Sequence, residues 1–267
     1  MRLKFFSIGS GSSGNCYFLG TDDYGMLIDA GVGIRAIQRA LKEKGMDLQR
    51  VMAVFVTHDH SDHIKTASCL SDRHNIPVYA TEAVHEGIRA GRHAGGALLA
   101  SRRYLVKDVP LEWRDFRLTA FDVPHDGSDN VGYYITCGEH RFTFATDVGH
   151  ITETVARYLR LGNHLIVEAN YDEEMLREGN YPLYLKDRIG GACGHLSNRE
   201  TAEFLAQNTG RHLKNIWLCH LSKDNNRPEV ACRTVETALL RQGIRVGRDV
   251  MLTALERTSP SEVFYFE

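Results

Sequence analysis

A run of potential metal ligands occupies residues 57–63, which read T-H-D-H-S-D-H. The run directly follows the apolar residues 51–56, which predict a buried strand ending at a sheet edge. In the loop after that strand, His58 and His60 are two positions apart and can point together, whereas Asp62 and His63 fall at the start of a helix and turn toward a second point. Imidazole and carboxylate groups suit zinc, iron or manganese and leave a coordination position open for water. The spacing therefore predicts two adjacent metal half-sites; the alternative is a polar loop whose histidines face solvent.

The rest of the chain alternates apolar runs with helical stretches. Helices are predicted at 34–45, from the Ser197/Glu200 capping box to 207, and from Pro228 to about 243. Segments rich in β-branched or aromatic residues predict strands at 3–8, 16–19, 25–29, 51–57, 78–80, 117–123, 132–136, 141–145, 164–169, 215–219 and 262–266. Strand pairs separated by helices indicate two sheets packed face to face with helices outside, an α/β sandwich. Because no linker or repeat divides the chain, we predict a single domain over residues 1–267.

The composition excludes several classes of protein. With 267 residues, 43% of them apolar, and no apolar segment near the ~18 residues of a membrane span, we expect no membrane partner. Six widely spaced cysteines without a C-x-x-C pair argue against a zinc ribbon or a disulfide framework and favour a cytoplasmic setting. The net charge of -2 means that any polyanion site must be local. Two basic stretches are candidates, with ordinary surface charge as the alternative: Arg89, Arg92, Arg102, Arg103 and Lys107, and then Arg177, Lys186 and Arg188.

The pattern H-x-H-x-D-H after a strand resembles the signature of the metallo-β-lactamase superfamily. That resemblance implies a four-layer αββα sandwich and a binuclear centre of zinc or manganese, with iron also accepted. Asp29 matches an early aspartate that supports the metal loop in the superfamily. The matching ligands are His58, His60 and His125 on one metal, Asp62, His63 and His220 on the other, and Asp147 between them.

His195, in the segment G-H-L-S-N, stands outside these two ligand sets. It resembles a histidine of the phosphodiesterase branches of the superfamily, which in tRNase Z is paired with a glutamate, and Glu168 is the matching candidate here. Because a carboxylate favours the protonated form of a neighbouring imidazole, the pair is predicted to supply a general acid, and Asp62 is predicted to join it in catalysis. The alternative is that His195 only supports the following helix.

The turn after the first predicted strand is rich in glycine and serine. Small residues allow backbone amides to approach an anion closely, so we predict that Ser12, Ser13 and Asn15 contact the substrate together with His195. The alternative is a flexible hairpin connection.

Taken together, the segments S-G-S-S-G-N, T-H-D-H-S-D-H, A-T-D-V-G-H, V-E-A-N-Y-D, G-H-L-S-N and L-C-H-L-S resemble the YycJ/WalJ group over essentially the whole chain. This group consists of bacterial cytoplasmic DNA exonucleases that act from the 5′ end. The resemblance implies a nucleic-acid partner, DNA, whose phosphodiester is attacked by a hydroxide bridging the two metals. It points to no particular protein partner.

Two departures bear on the substrate. Only 47 residues separate Asp147 from His195, too few for the inserted domain of the β-CASP nucleases, and no long basic arm like that of tRNase Z is evident. A role in RNA processing is therefore disfavoured. The alternatives are a small-molecule phosphodiesterase, a thioester or lactone hydrolase of the glyoxalase II kind, and a noncatalytic metal-binding or nucleic-acid-binding protein, against which the complete ligand set speaks.

Overall fold

The computed structural model describes residues 2–91 and 101–267. They form two compact units. The first takes in the described residues up to Val106 together with Gly127–Asp129 and Glu256–Glu267, and the second comprises Lys107–Asp126 and Asn130–Leu255. Each unit contains a mixed seven-stranded sheet and several helices. The single domain over residues 1–267 stays a prediction.

The first unit has an antiparallel half and a parallel half. Its strands are β1 (Leu3–Gly9), β2 (Cys16–Gly20), β3 (Gly25–Ile28), β4 (Val51–Phe55), β5 (Val78–Ala80), β6 (Arg102–Tyr104) and β14 (Phe264–Phe266). Its helices are α1 (Ile34–Glu43), α2 (Ser61–Ile64), α3 (Ala67–His74) and α4 (Glu82–Ala90), with a 3₁₀ helix at Leu48–Arg50. The strand order is β14-β1-β2-β3-β4-β5-β6, and the pairs from β3 to β6 are parallel. The segments that follow β3 and β4 therefore leave from the same edge of the sheet.

Apolar burial accounts for the elements around the metal run. Every residue of β4 except Met52 is buried, as expected for a strand with neighbours on both sides. Helix α1 places Ile37 and Leu41 in the core of the first unit. Its helical bonds end at Glu43 rather than at residue 45, because Gly45 takes a positive φ of 72° and turns the chain back.

The second unit has the same division into halves. Its strands are β7 (Leu111–Trp113), β8 (Phe116–Asp122), β9 (Val131–Cys137), β10 (His140–Ala145), β11 (His164–Glu168), β12 (Asn215–Cys219) and β13 (Met251–Ala254). Its helices are α5 (Glu153–Leu161), α6 (Glu173–Glu178), α7 (Leu183–Ile189), α8 (Asn198–Asn208) and α9 (Pro228–Arg241). The order is β13-β12-β11-β10-β9-β8-β7, with parallel pairs from β10 to β13. Ala145, Val167 and Leu218 lie side by side, so β10, β11 and β12 end together.

All eleven predicted strands are present, with ends within two residues of the prediction, and the Ser197/Glu200 capping box opens α8 as expected. The sequence did not single out β6, β7 and β13, because edge strands of three or four residues are too short to show a hydrophobic period. It also did not single out α3–α7. None of the helices in the described residues is both long and apolar enough to cross a membrane.

Candidate functional site

The predicted metal run begins where β4 ends, and α2 starts within it at Ser61, as the sequence predicted. The ring centroids of His58 and His60 are 4.6 Å apart, and those of His58 and His63 are 4.1 Å apart. His58 and His63 are buried, whereas His60 and Asp62 are half-buried. The first unit therefore gathers three imidazoles and one carboxylate from six consecutive positions.

Asp29 supports the metal run through contacts with His63 and Thr57. Its Oδ2 lies 2.7 Å from His63 Nδ1, and its Oδ1 accepts a hydrogen bond of 2.8 Å from the backbone N–H of Thr57. The Thr57 hydroxyl donates to the same carboxylate at 2.9 Å. Burial raises the pKa of Asp29, whereas the His63 imidazole favours the charged carboxylate. With Nδ1 facing Asp29, Nε2 is the atom that His63 would offer to a metal, and a metal there would replace the contact of Nε2 with Asn15 Nδ2 at 2.9 Å.

Two residues from neighbouring loops fix the position of Asp62. The backbone N–H of Asn15 donates to the carbonyl of Asp62 at 2.7 Å, and Asn15 Nδ2 lies 2.9 Å from His63 Nε2. A Cβ on Gly31 would stand only 1.5 Å from the Asp62 carbonyl oxygen, so glycine is required there. Asn15, predicted to bind substrate, is thus buried against the metal run, whereas Ser12 and Ser13 are exposed.

A third support joins Asp59, the residue between His58 and His60, to Ser128. Ser128 donates to the Asp59 carboxylate through its backbone N–H at 2.9 Å and through its hydroxyl at 2.5 Å. A Cβ on Gly87 of α4 would stand 2.0 Å from Asp59 Oδ2, so this contact also depends on a glycine.

The second unit gathers its candidate ligands at the ends of three parallel strands. Asp147 follows β10 by two residues, Glu168 is the last residue of β11, and His220 follows β12 directly. Together with His195 they offer donor atoms that all lie within 4.8 Å of one another. His220 Nδ1 lies 2.7 Å from Asp147 Oδ1, and His195 Nδ1 lies 2.7 Å from Glu168 Oε1. The structure therefore brings Glu168 and His195 together.

Burial shifts the pKa values of the residues in this second group. Burial raises the pKa of Glu168 well above its ordinary value, and the nearby charge of Asp147 acts in the same direction, although the backbone N–H groups of Val148 and Leu196 donate to the carboxylate. For His220, burial alone would lower the pKa, but the Asp147 carboxylate raises it above its ordinary value. Two buried carboxylates beside two imidazoles form a site that a divalent cation would neutralise.

His125 completes the candidate ligands of the second unit. Its Nδ1 lies 2.9 Å from the carbonyl of Gly194, and its own carbonyl accepts from Asn130 Nδ2 at 2.8 Å. These two contacts leave Nε2 directed toward Asp147, with 3.7 Å between Nε2 and Oδ1. The donor atoms of both units are nitrogen and oxygen, and this chemistry fits zinc, manganese or iron.

The sequence did not reveal a set of buried asparagines around the second group. Asn226 Nδ2 donates to the carbonyls of Ala169 and Asn170, and the Asn226 and Asn198 side-chain amides donate to each other at 2.9 Å. Asn170 Nδ2 donates to the carbonyl of His220. These bonds join the segments that follow β11 and β12 to the start of α8. Two of these asparagines stand in the motifs V-E-A-N-Y-D and G-H-L-S-N, and this was the only indication of them in the sequence.

Acidic neighbours accompany both predicted basic stretches. Glu86 lies 2.5 Å from Arg89 and 3.8 Å from Arg102. Arg177 pairs with two glutamates of α6, and Arg188 pairs with Asp126. Arg92 lies outside the described residues. The two stretches remain candidate anion sites of reduced net charge.

Comparisons with known proteins agree with this chemistry. The family model described as "Beta-lactamase superfamily domain" matches residues 24–216. Exodeoxyribonuclease YycJ of Bacillus anthracis is 32% identical over 267 residues, which cover 99% of this chain and 100% of that protein. Exodeoxyribonuclease WalJ of Streptococcus pneumoniae serotype 2 (strain D39) is 31% identical over 247 residues, 92% of each chain. The crystal structure of the metallo-β-lactamase fold protein YhfI from Bacillus subtilis superposes with a TM-score of 0.72 at 17% identity and covers 99% of both chains.

The chain therefore belongs to the β-lactamase superfamily. Within that superfamily it is similar to the YycJ and WalJ proteins over most of its length. This confirms the predicted resemblance and the predicted fold class, an α/β metallo-β-lactamase fold. The similarity to the YycJ and WalJ proteins identifies a metal-dependent hydrolase. The His/Asp groups of the two units account for its need of divalent metal.

Proposed function

We propose that the chain is a nuclease that removes nucleotides from the 5′ end of DNA and uses two divalent metal ions, zinc or manganese. The observation that carries the proposal is the His195–Glu168 pair beside Asp147 and His220, at the common end of β10, β11 and β12. The similarity to proteins named exodeoxyribonucleases supports the choice of DNA.

The proposed ligands are those of the family pattern. His58, His60 and His125 would hold one metal, Asp62, His63 and His220 the other, and Asp147 would serve both. When bound, such a pair of ions supplies activated water at neutral pH and neutralises charge on the phosphate oxygens.

The remaining residues act on the leaving group. His195 is one-fifth exposed, whereas the Glu168 carboxylate is buried against its Nδ1, so the imidazole can present Nε2 outward. Glu168 orients the ring, because its Oε1 lies 2.7 Å from His195 Nδ1. His195 would then donate a proton to the leaving oxygen of the diester. We propose Asp62 as a catalytic residue of the same centre.

The His195–Glu168 pair also separates this function from its rivals. A leaving alkoxide needs a proton, whereas a leaving thiolate needs little help, so the pair favours a phosphodiesterase over a thioester hydrolase of the glyoxalase II kind. A small-molecule phosphodiesterase is the second candidate, because the same pair would serve a small diester equally well.

We extend the proposal to the setting and the polarity of the reaction. All six cysteines are free thiols, which supports a reducing, cytoplasmic setting. The 5′ polarity is supported by the YycJ/WalJ resemblance alone. Ser12, Ser13 and Asn15, together with His195, remain proposed substrate contacts, and the exposure of the two serines is compatible with that role.

The test is cleavage of 5′-labelled single-stranded and duplex DNA by manganese-loaded protein, with products resolved on a sequencing gel. We expect labelled mononucleotides to accumulate from the start with the wild type and to disappear with His60→Ala. The matched control is His74→Ala, which removes an exposed histidine of the same unit and should cut normally. If a small chromogenic diester is hydrolysed while DNA and RNA stay intact, the small-molecule phosphodiesterase takes the place of the nuclease.

A further inference from the structure

The side chain of Arg257 contacts the glycine- and serine-rich turn that follows β1. Its Nη2 donates to the hydroxyl oxygen of Ser13 at 2.8 Å. Its backbone carbonyl accepts from the N–H of Ser10 at 3.2 Å, so both the main chain and the side chain of Arg257 are bonded to the turn. Arg257 and the turn belong to the first unit. Because an arginine is charged at any pH at which the protein is folded, this contact gives the turn a permanent positive charge.

No carboxylate neutralises this arginine. Within residues 2–91 and 101–267, Arg257 forms no ion pair, although Glu256 is its neighbour in the chain. The side chain is half-buried, and its Nε–H is buried and donates to no atom of these residues. Buried polar groups in proteins are nearly always hydrogen-bonded, so the unused Nε–H points to an acceptor that comes from outside the chain.

The turn supplies further donors beside the guanidinium. The N–H of Gly14 donates to the carbonyl of Gly11 at 2.8 Å, and the two residues between them, Ser12 and Ser13, are exposed. The backbone N–H groups of these two serines donate to no acceptor in the part of the chain that the structure describes. Since Ser13 Oγ accepts from Arg257, its hydroxyl hydrogen can be donated to another group. Backbone N–H groups, a hydroxyl and a guanidinium are donors that bind phosphate.

The same turn also contacts the metal run. Asn15 Nδ2 lies 2.9 Å from His63 Nε2 and 3.3 Å from Asp62 Oδ2. Only Gly14 separates Ser13 from Asn15 in the chain, so the Cα atoms of Ser13 and Asn15 are at most about 7 Å apart. The donors of the turn are therefore close enough to the candidate ligands for one substrate to contact both.

We infer that Arg257, Ser13 and the backbone N–H groups of Ser12 and Ser13 bind a phosphate group of the substrate strand next to the phosphate that is cleaved. A guanidinium can bind two phosphate oxygens with two parallel hydrogen bonds, which sets both the position and the orientation of the group. The site also supplies local positive charge to a chain whose net charge is -2. The inference rests on the proposed function and deepens it, because a small diester has no second phosphate to place there.

The test is binding of a DNA duplex with phosphorothioate linkages and a 3′-fluorescein label to the manganese-loaded protein, followed by anisotropy at several salt concentrations. We expect Arg257→Gln to weaken binding about tenfold and to lower the slope of log K against log salt by about 1, as expected for one lost phosphate contact. Arg257→Lys keeps the charge and should keep the salt slope of the wild type. Arg73→Gln is the matched control, since Arg73 is an exposed arginine of α3 in the same unit.

Duplexes with a 5′-phosphate and with a 5′-hydroxyl distinguish the two phosphates that the site could bind. If Arg257→Gln loses affinity only for the 5′-phosphorylated duplex, the site binds the terminal phosphate. Equal losses of affinity for both duplexes would mean that the site binds an internal phosphate.

The inference is wrong if the wild type does not bind the duplex, if Arg257→Gln binds it normally, or if binding weakens without a change in salt slope. It is also wrong if Arg257→Gln loses bound manganese or hydrolysis of bis(p-nitrophenyl) phosphate in parallel with duplex binding, because Arg257 would then support the metal run. A natural duplex that is bound through Arg257 but stays uncut would refute the nuclease and leave the phosphate site standing.

Discussion

The first unit takes its candidate ligands from six consecutive positions after one strand, whereas the second takes them from segments that follow β8, β10, β11 and β12. In the first unit the geometry of the group is set locally, by a loop that enters α2. In the second it is set by the register of parallel strands whose ends coincide. A local group is visible in the sequence, but a group built from strand register becomes visible only once the strands are paired.

The two units nevertheless share one backbone feature, a non-glycine residue with positive φ directly after a strand. Asp29 follows β3 with a φ of 60°, and His220 follows β12 with a φ of 52°. Residues other than glycine seldom adopt this left-handed conformation, and where they do it is often at functional sites. Asp29 supports a ligand and His220 is itself a candidate ligand, so the same turn serves two different purposes.

The largest expected effect of a single substitution is on protonation of the leaving group by the second unit. His195→Ala removes the proposed proton donor, so we expect turnover of DNA to fall by about 10²-fold or more. Hydrolysis of bis(p-nitrophenyl) phosphate, whose leaving group needs little protonation, should fall far less. Glu168→Gln should show the same bias in weaker form. Equal losses on both substrates would show that His195 serves the metal or the fold and not the leaving group.

The support of the first unit can be tested at Asp29. Asp29→Asn keeps the shape of the side chain but weakens its hold on His63, so we expect metal affinity to fall about ten- to a hundredfold. The measurement is a competition titration with a chromogenic chelator. Asp47→Asn, at an exposed capping aspartate of the same unit, is the control and should bind metal normally. If Asp29→Asn binds metal with unchanged affinity, the metal-binding loop keeps its conformation without Asp29.

Two glycines of the first unit give a matched test of packing. Gly31→Ala places a methyl group against the Asp62 carbonyl, so we expect the free energy of unfolding to fall by about 3 kcal/mol. Nothing lies within 4 Å of a Cβ on Gly33, but Gly33 is the N-cap of α1, where alanine is disfavoured, so Gly33→Ala should lower the free energy of unfolding by about 1 kcal/mol or less. Both changes are to be measured by urea unfolding of the metal-free protein. Equal effects at the two positions would refute the close approach of Asp62.

A smaller effect, on the pH dependence of stability, is expected from His164 at the beginning of β11. Burial lowers the pKa of His164 to about 3, with the charges of His140, Lys214 and Arg141 acting in the same direction. The folded protein therefore holds His164 neutral, and the stability it contributes above its unfolded pKa of about 6.5 is lost as the pH falls toward 3.

We expect His164 to account for a loss of about 2 kcal/mol in the free energy of unfolding between pH 7 and pH 5. His164→Gln, which does not titrate, should show a pH dependence that is shallower by that amount in the same interval. Parallel curves for the two proteins would mean that His164 titrates alike in the folded and unfolded states.

Much of the fold was predictable because buried strands carry their own signal. The predicted strand at 215–219 coincides with β12, and the capping box opens α8, since both depend on residues close together in the chain. The metal run was predictable for the same reason. Glu168, His195 and His220 needed the family resemblance, because 27 and 25 positions separate them in sequence while their side chains meet in space.

The contacts that support the candidate ligands could not be predicted from the sequence. Asn15 was predicted to bind substrate, yet it lies buried against His63, 48 positions away. Gly31 is required only because a carbonyl from the metal run passes over it. Such contacts depend on how two loops approach each other, and neither composition nor spacing encodes that distance.

We propose that the ligand groups of the two units serve one hydrolytic function. The most direct measurement is the rate of DNA hydrolysis by His60→Ala, His220→Ala and the double variant, each at saturating manganese. Residues that act as a unit give losses that do not add. We predict that each single variant loses at least about a hundredfold and that the double variant is no slower than the worse of the two. Losses that multiply in the double variant, or full activity in either single variant, would contradict the claim.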